Sequence, residues 1–474
     1  MSAASRLVAE RPSAGEPRPY DFPEAIETTL ANGMRVIVAP MQGRELIAAS
    51  LALRNGAVDE PPEVGGATVL AARALTEGTE LRDAIELTEA TERLGASIHA
   101  EAGWDATSAG LDVPASHLEP ALALLAEVVR RPSFPAPEIE RLRDERLTDI
   151  LQSKADPRRR AEEAFVSAIY APSSPYHRPA SGTKESVEAL TPAQLRTVHA
   201  QAFIPSRAAL VLAGDVDAGE IARIADALFG DWSGPAATAS APIDDTSGVG
   251  ERFVRVVHRP GSVQSELRIG HPGLMRRHPD FHAVAVMGAI LGGLFNSRLN
   301  MNLREEKGYT YGASAGFDLR RARGPFAARA AVNTEATVAA IHETLAELDR
   351  IRQEPVTVAE LDAARDYLVG VFPLRFETAG PVAGSLAGLY VHDLPGDELD
   401  RYRPAIMAVT SDDVLRVAQA HIHPDAAAIV LVGDHDAFGE ELEAAGFGPV
   451  DVVRDEDMMA SADEGDADGG DAGD

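Results

Sequence analysis

The chain has 474 residues, 45% of them hydrophobic, and a formal net charge of −30. That length is enough for two or more sizeable cores. The negative charge excludes nucleic acid and anionic membrane surfaces as default partners, because phosphates are repelled. With no cysteine, disulfides, thiolate metal sites and cysteine nucleophiles are excluded, and any metal must be held by His and carboxylates.

Residues 1–23 carry Arg, Glu and Pro without an apolar centre, which predicts a flexible leader rather than a signal peptide. No apolar run approaches the roughly 18–20 residues of a membrane span. A cytoplasmic, non-membrane protein is the expectation. Strands are predicted at Met34–Val38 and Ile47–Arg54, and helices at Leu118–Arg130 and Glu138–Gln152. The stretch Leu190 to Asp217 then reads LTPAQLRTVHAQAFIPSRAALVLAGDVD. Thr191 is a helix N-cap followed by proline at the first helical position. A Pro-containing break leads to the apolar strand Ala208–Ala213, which ends in Gly214-Asp215. A Gly-, Ala-, Ser- and Pro-rich linker comes next, drawn at 236–250.

The second part opens with strands at Phe253–His258 and Glu266–Gly270 and a helix at Asp280–Leu291. The run Leu303-Arg304-Glu305-Glu306-Lys307-Gly308-Tyr309-Thr310-Tyr311 reads as a helix end passing into a strand. Gly308 supplies the left-handed residue that stops the helix. Strand alternation then puts Tyr309 and Tyr311 on one face. A guanidinium and a phenol converging from two rigid elements suit a grip on a carbonyl or an oxyanion. Further helices are predicted at Thr337–Ile351 and Val358–Val369.

Val409 to Asp436, VTSDDVLRVAQAHIHPDAAAIVLVGDHD, repeats the earlier stretch without a gap: Thr410 matches Thr191, Pro424 matches Pro205, and Gly433-Asp434 matches Gly214-Asp215. An offset of nearly half the chain indicates duplication, not a solenoid. The expected fold class is α+β. Two homologous units in tandem, 24–235 and 251–450, are each a mainly antiparallel sheet covered by helices on one face. The acidic, Gly- and Ala-rich end, 451–474, reads as a disordered tail. His421 and His423 flank Ile422 with no carboxylate at ligand spacing, and they read as structural, as does His435.

Several of these pieces together resemble the M16 (pitrilysin/insulinase-like) zinc metallopeptidases over most of residues 25–440. They are Asn32-Gly33-Met34-Arg35-Val36-Ile37-Val38, Arg54 to Glu60, Gly292-Gly293 through Asn296-Ser297-Arg298-Leu299, the Arg304-to-Tyr311 run, and both Gly-Asp strand ends. The resemblance implies a half-clamshell of two such units. Catalytic members of that family carry a His-x-x-Glu-His helix, in which two imidazoles bind zinc and the Glu activates water. The matching segment here runs from Gly65 to Ala72, followed by Glu77-Gly78-Thr79. The His positions fall on Thr68 and Ala72, the Glu on Ala71, and the downstream carboxylate ligand on Asp149. Zinc binding there is not expected; no metal or cofactor is expected in this chain, and zinc is expected in a partner.

The family also contains two-subunit enzymes in which one subunit has lost the zinc helix and keeps an Arg/Tyr pair. This chain is similar to that subunit. The resemblance implies that Arg304 and Tyr311 act in trans, on a small or unfolded peptide held at the zinc of a His-x-x-Glu-His-bearing subunit. It also implies that His99, Ala100 and Glu101, within Gly95–Thr107, lie on an edge strand that binds peptide main chain. Tyr309 is expected as structural support and Arg298 as a packing or ion-pair residue. The rival expectation is a scaffold or assembly protein of the same fold without the chemistry.

Overall fold

The computed structural model describes residue 15 and residues 18–235 and 242–454. The first half builds a six-stranded sheet from β1 (Ile26–Thr29), β2 (Arg35–Pro40), β3 (Leu46–Leu53), β4 (Ser97–Ala102), β5 (Thr107–Pro114) and β6 (Ala208–Gly214). The second half builds another from β7 (Phe253–His258), β8 (Gln264–Pro272), β9 (Thr310–Phe317), β10 (Pro325–Asn333), β11 (Ala428–Gly433) and β12 (Val450–Arg454). The spatial orders are β1-β2-β6-β3-β5-β4 and β12-β7-β11-β8-β10-β9. Apart from the outermost strands β1 and β12, the two sheets share one topology: a parallel pair, β2 with β6 or β7 with β11, followed by antiparallel neighbours. This is the two-unit α+β architecture expected from the repeat.

The helices that cover the sheets and position their edges include α1 (Ala67–Ala74), α2 (Leu118–Arg130), α3 (Ala136–Ala155), α4 (Pro157–Ile169) and α5 (Pro192–Ala202) in the first half. In the second half they include α6 (Phe281–Gly288), α7 (Thr337–Gln353), α8 (Val358–Val371), α9 (Ala379–Val391) and α10 (Ser411–His421). The repeat is visible in its caps. Thr191 Oγ1 accepts the Gln194 N–H at 3.3 Å at the start of α5, and Thr410 Oγ1 accepts the Asp413 N–H at 3.1 Å at the start of α10. In each copy the side chain three residues on accepts the threonine N–H in return, a reciprocal capping box.

Coverage of the sheets differs from the one-face expectation. One face of the first sheet, with Val36, Ile47, Leu51, Leu111 and Leu210, packs on its own helices, including Leu122 and Leu125 of α2. The other face, with Ile37, Ala39, Ala48, Ala52 and Val211, packs against Val382, Leu386 and Tyr390 of α9, from the second half. The second sheet reciprocates: Val257, Ala327, Ala428 and Val430 pack against Ala161, Phe165 and Ile169 of α4, from the first half. Every residue of β6 and β11 is buried, so neither face of these central strands can be left to solvent. The small alanines on the exchanged faces let the borrowed helices approach closely.

The boundaries also shift. Tyr20 and Phe22, placed in the leader, pack on Phe372 and Phe376 of the second half. Residues 236–241 of the linker lie outside the described residues, while Ile243 and Val249 join the cluster around Tyr170. Residues 451–454, placed in the tail, belong to β12, which pairs in parallel with β7; the remainder, 455–474, lies outside the described residues. No helix among the described residues is long and apolar enough to cross a membrane.

Candidate functional site

Arg304 sits on an unusual piece of backbone. A single α-turn, Arg298–Asn300, opens into a wider π-helical turn, Met301–Glu306. Lys307 N–H reaches back five residues to the Asn302 carbonyl at 3.0 Å. Such single wide turns concentrate at functional sites because they reorient one side chain within an otherwise regular helix. Gly308, at φ 68°, ends the turn as expected, and Tyr309 N–H bonds the Leu303 carbonyl at 2.9 Å. Lys307 pairs with Glu343 of α7 at 2.9 Å, and Asn302 Nδ2 donates to Glu343 and Glu347, so the turn is clamped from behind. The Arg304 guanidinium stands 4.6 Å from the Phe295 ring centroid, and its Nε lies 3.4 Å from Glu305. The stacking holds the planar head and leaves its edges partly open, with the side chain 36% exposed.

Tyr311 is 92% exposed, and its phenol has no hydrogen-bond partner among the described residues. Tyr309 packs against the core of the second half instead, so the two tyrosines do not share a face. Tyr309 lies just ahead of β9, and a bulge sits at Tyr311. Pairing between β9 and β10 runs from Ala313↔Ala330 to Thr310↔Val332, so Tyr311 and Gly312 together face Ala331. Thr310 Oγ1 accepts the Gly312 N–H at 3.1 Å and stabilises the kink.

Two further residues organise this corner: Asn300, which sequence reasoning passed over, and Gly292, which it noted only as part of the family resemblance. Buried Asn300 accepts the Ala313 N–H through Oδ1 at 3.1 Å and donates through Nδ2 to the Phe295 carbonyl at 2.6 Å. It thereby joins the arginine's platform to the tyrosine's strand. Gly292, on a second π-helical turn, lies where an added Cβ would fall 2.1 Å from the Ala315 nitrogen, so the helix can lie against β9 only with glycine there. Arg298 forms the expected ion pair, with Nε 2.7 Å from Glu360. Burial opposes the charge on Glu360, but hydrogen bonds from Arg298 and Thr357 outweigh it and hold the carboxyl at about 2.

Residues His99, Ala100 and Glu101 lie on β4, an outer strand of the first sheet that pairs only with β5. Burial alternates along it: His99 and Glu101 are exposed, and Ala100 packs on the core. Strand β9 occupies the corresponding edge of the second sheet. The duplication therefore places the candidate peptide strand and Tyr311 at equivalent edges of the two units.

Thr68, Ala71 and Ala72 are all on α1 and all buried, Thr68 at 1% exposure. The N-terminus of α1 is held by buried Glu60, whose carboxylate accepts the Gly66 N–H at 2.9 Å and the Thr68 N–H at 2.5 Å. Burial pushes the Glu60 carboxyl up, and these hydrogen bonds only partly offset it. Asp149 is half-buried on α3, which packs beside α1. A threonine hydroxyl, two methyl groups and one aspartate do not fit a zinc ion, which takes imidazole, thiolate and carboxylate donors in a closed set. Among the described residues, the groups of three His, Asp or Glu side chains close enough to share an ion lie elsewhere: His278, Asp280 and His421, and His258, Asp434 and Asp436. The reading of His421 as lacking a carboxylate neighbour is therefore corrected. Asp280 Oδ2 lies 2.7 Å from its Nε2, brought there from another helix across a long sequence separation.

Residues 35–183 match the model of the insulinase-type M16 peptidases, and residues 189–368 match that of the M16 inactive domain. An uncharacterized zinc protease of Mycobacterium tuberculosis is 26% identical over 410 residues, covering 86% of this chain and 93% of that protein. A protein of Helicobacter pylori described as a non-peptidase homolog is 25% identical over 334 residues, covering 69% and 75%. Among solved structures, a peptidase M16 inactive domain from Pseudomonas fluorescens superposes with a TM-score of 0.81 at 26% identity, covering 86% of this chain and 98% of that one. With the two M16 models matched one after the other over residues 35–183 and 189–368, and the fold shared over most of its length, the chain belongs to the M16 peptidase family.

Proposed function

We propose that this chain is the non-catalytic subunit of a heterodimeric M16 zinc endopeptidase. The single observation that carries the reading is the pairing of an exposed, partnerless Tyr311 phenol with a stacked Arg304, in a chain whose α1 offers no zinc ligands. The partner subunit, carrying His-x-x-Glu-His, would hold the zinc, which would supply an activated water for peptide hydrolysis. Arg304 and Tyr311 donate hydrogen bonds to the substrate carbonyl next to the scissile bond and to the oxygen on which negative charge develops. Their backbones are set by the wide turn and the bulge, so little reorganisation is needed as that charge appears. The open edge of β4, at His99, Ala100 and Glu101, adds peptide as an extra strand through main-chain hydrogen bonds. The substrate is a small or unfolded peptide, and the complex works in the cytoplasm.

The test is reconstitution with the His-x-x-Glu-His subunit and a quenched fluorescent peptide. Activity is expected only from the complex. Arg304→Ala or Tyr311→Phe should lower kcat by about 100-fold, the scale of losing one oxyanion donor. Peptide cleavage by this chain alone overturns the reading, as does full activity of a complex carrying both substitutions. Hydrogen exchange tests the strand-addition role: amides of residues 97–102 should gain protection when a peptide saturates the complex. A scaffold role is the second reading, favoured by the Helicobacter pylori relative's description as a non-peptidase homolog. It predicts a stable complex whose activity is indifferent to both substitutions.

A further inference from the structure

We propose that His278, Asp280 and His421 form a binding site for a divalent transition metal of the zinc type, set between the ends of two packed helices. Asp280 is the N-cap residue of α6, His278 lies two residues ahead of it, and His421 is the last residue of α10. One ligand atom from each lies within 4.8 Å of the others. His421 Nε2 is 2.7 Å and His278 Nδ1 is 3.8 Å from the same oxygen, Asp280 Oδ2. Tetrahedral zinc with N and O ligands at about 2.1 Å separates its ligand atoms by about 3.4 Å. The two spacings to Asp280 bracket that value: the shorter must lengthen by about 0.7 Å and the longer shorten by about 0.4 Å to seat one ion. Two imidazoles and a carboxylate, with a fourth position for water, make a borderline donor set that suits zinc and its first-row neighbours over calcium or magnesium.

The orientation of Asp280 supports this independently. At a helix N-cap an aspartate ordinarily accepts an N–H of the first turn. Asp83, Asp156, Asp217 and Asp434 do so in this protein, while Asp397, which pairs with Arg401 instead, does not. Asp280 makes no such bond. Its Oδ1 is held by Arg416 at 2.9 Å, which turns Oδ2 toward both histidines. Arg416 thus acts as the outer partner that orients a metal-binding carboxylate. A His421–Asp280–Arg416 chain accounts for those three residues without involving the His278 ring, which stands edge-on to His421, with centroids 4.9 Å apart. His278 Nδ1 accepts the Asp280 N–H at 3.1 Å, and coordination exchanges that one hydrogen bond for a metal bond.

His278 lines a surface cavity, and its side chain is 30% exposed. The arginines of that cavity are each paired: Arg276 with Glu398 at 3.2 Å, Arg277 with Asp393 at 2.9 Å and Arg401 with Asp397 at 2.9 Å. Their charge is locally offset, and the chain as a whole carries −30.

The test is titration of zinc, and of cobalt as a spectroscopic substitute, into the chelator-treated full chain, read by calorimetry against a competing chelator. One equivalent is expected, with cobalt bands of a tetrahedral N- and O-ligated ion. His278→Gln and His421→Gln should each weaken binding by about 100-fold or more, and zinc should raise the Tm of the wild type but not of either variant. His278 is partly exposed, so its variant tests the site even if the His421 variant fails to fold. Absence of binding, binding unchanged by both substitutions, or binding lost on His258→Gln instead overturns the proposal. No peptide or partner enters the measurement, so its outcome is separate from that of the proposed function.

Discussion

Tyr311 owes its exposure to one extra residue in β9, and that residue changes what the motif can do. With strict alternation, Tyr311 would follow Ala313 and Ala315 toward the core; the bulge at Tyr311-Gly312 sends it outward instead. Because the side chain touches little, Tyr311→Phe should leave stability within about 0.5 kcal/mol of wild type in chemical denaturation, while the complex loses turnover. Buried Arg298 is the opposite case. Glu360→Gln leaves its guanidinium charged and without its counter-charge, so a loss of about 3 kcal/mol is expected in the same measurement. The pH dependence has a definite sign. The folded-state carboxyl of Glu360, at about 2, lies below its unfolded value, so its contribution is complete above the ordinary glutamate range and fades as pH falls toward 2. Wild type should lose stability more steeply across that window than Glu360→Gln. At this scale the identities of Arg304 and Tyr311 were legible in the sequence. The bulge was not, because it arises from pairing with β10, and neither was the partnership of His421 with Asp280, which no local pattern encodes.

Elements were largely legible where periodicity and caps agreed. The helices of the repeat begin at Thr191 and Thr410 as their capping boxes predict, and the apolar runs before Gly214 and Gly433 are fully buried central strands. The two wide turns, Ala289–Gly293 and Met301–Glu306, were not foreseen, since a π-turn carries no composition of its own. Gly292 marks the first of them. Gly292→Ala should force the helix away from Ala315 and cost about 2 kcal/mol, with a larger fractional loss of activity as Phe295 and Arg304 move with it. Paired melting and peptide-turnover measurements check both halves of that expectation. The capping of α1 by Glu60 was equally silent, because its two N–H donors come a turn later in the chain rather than at helical spacing.

Across the whole molecule, the decisive feature is the exchange of helices between halves: α9 covers the first sheet and α4 covers the second. Neither unit can bury both faces of its central strand alone, so the two should unfold as one. Both tryptophans, Trp104 and Trp232, lie in the first half. Their fluorescence should therefore lose its native signal at the same denaturant concentration as the far-UV circular dichroism of the entire chain. Phe165→Ala, in the borrowed helix α4, should cost about 3–5 kcal/mol and shift both signals together. Separate transitions would show that the halves are independent. By itself, the sequence determined the duplication, the α+β class, the absence of imidazole from α1 and the Arg304–Tyr311 run, because composition, caps and periodicity are local properties. Only the tertiary structure decided which helix covers which sheet, where Tyr311 points and which carboxylate His421 meets. Each of those depends on contacts between residues far apart in the chain, whose geometry is set by packing.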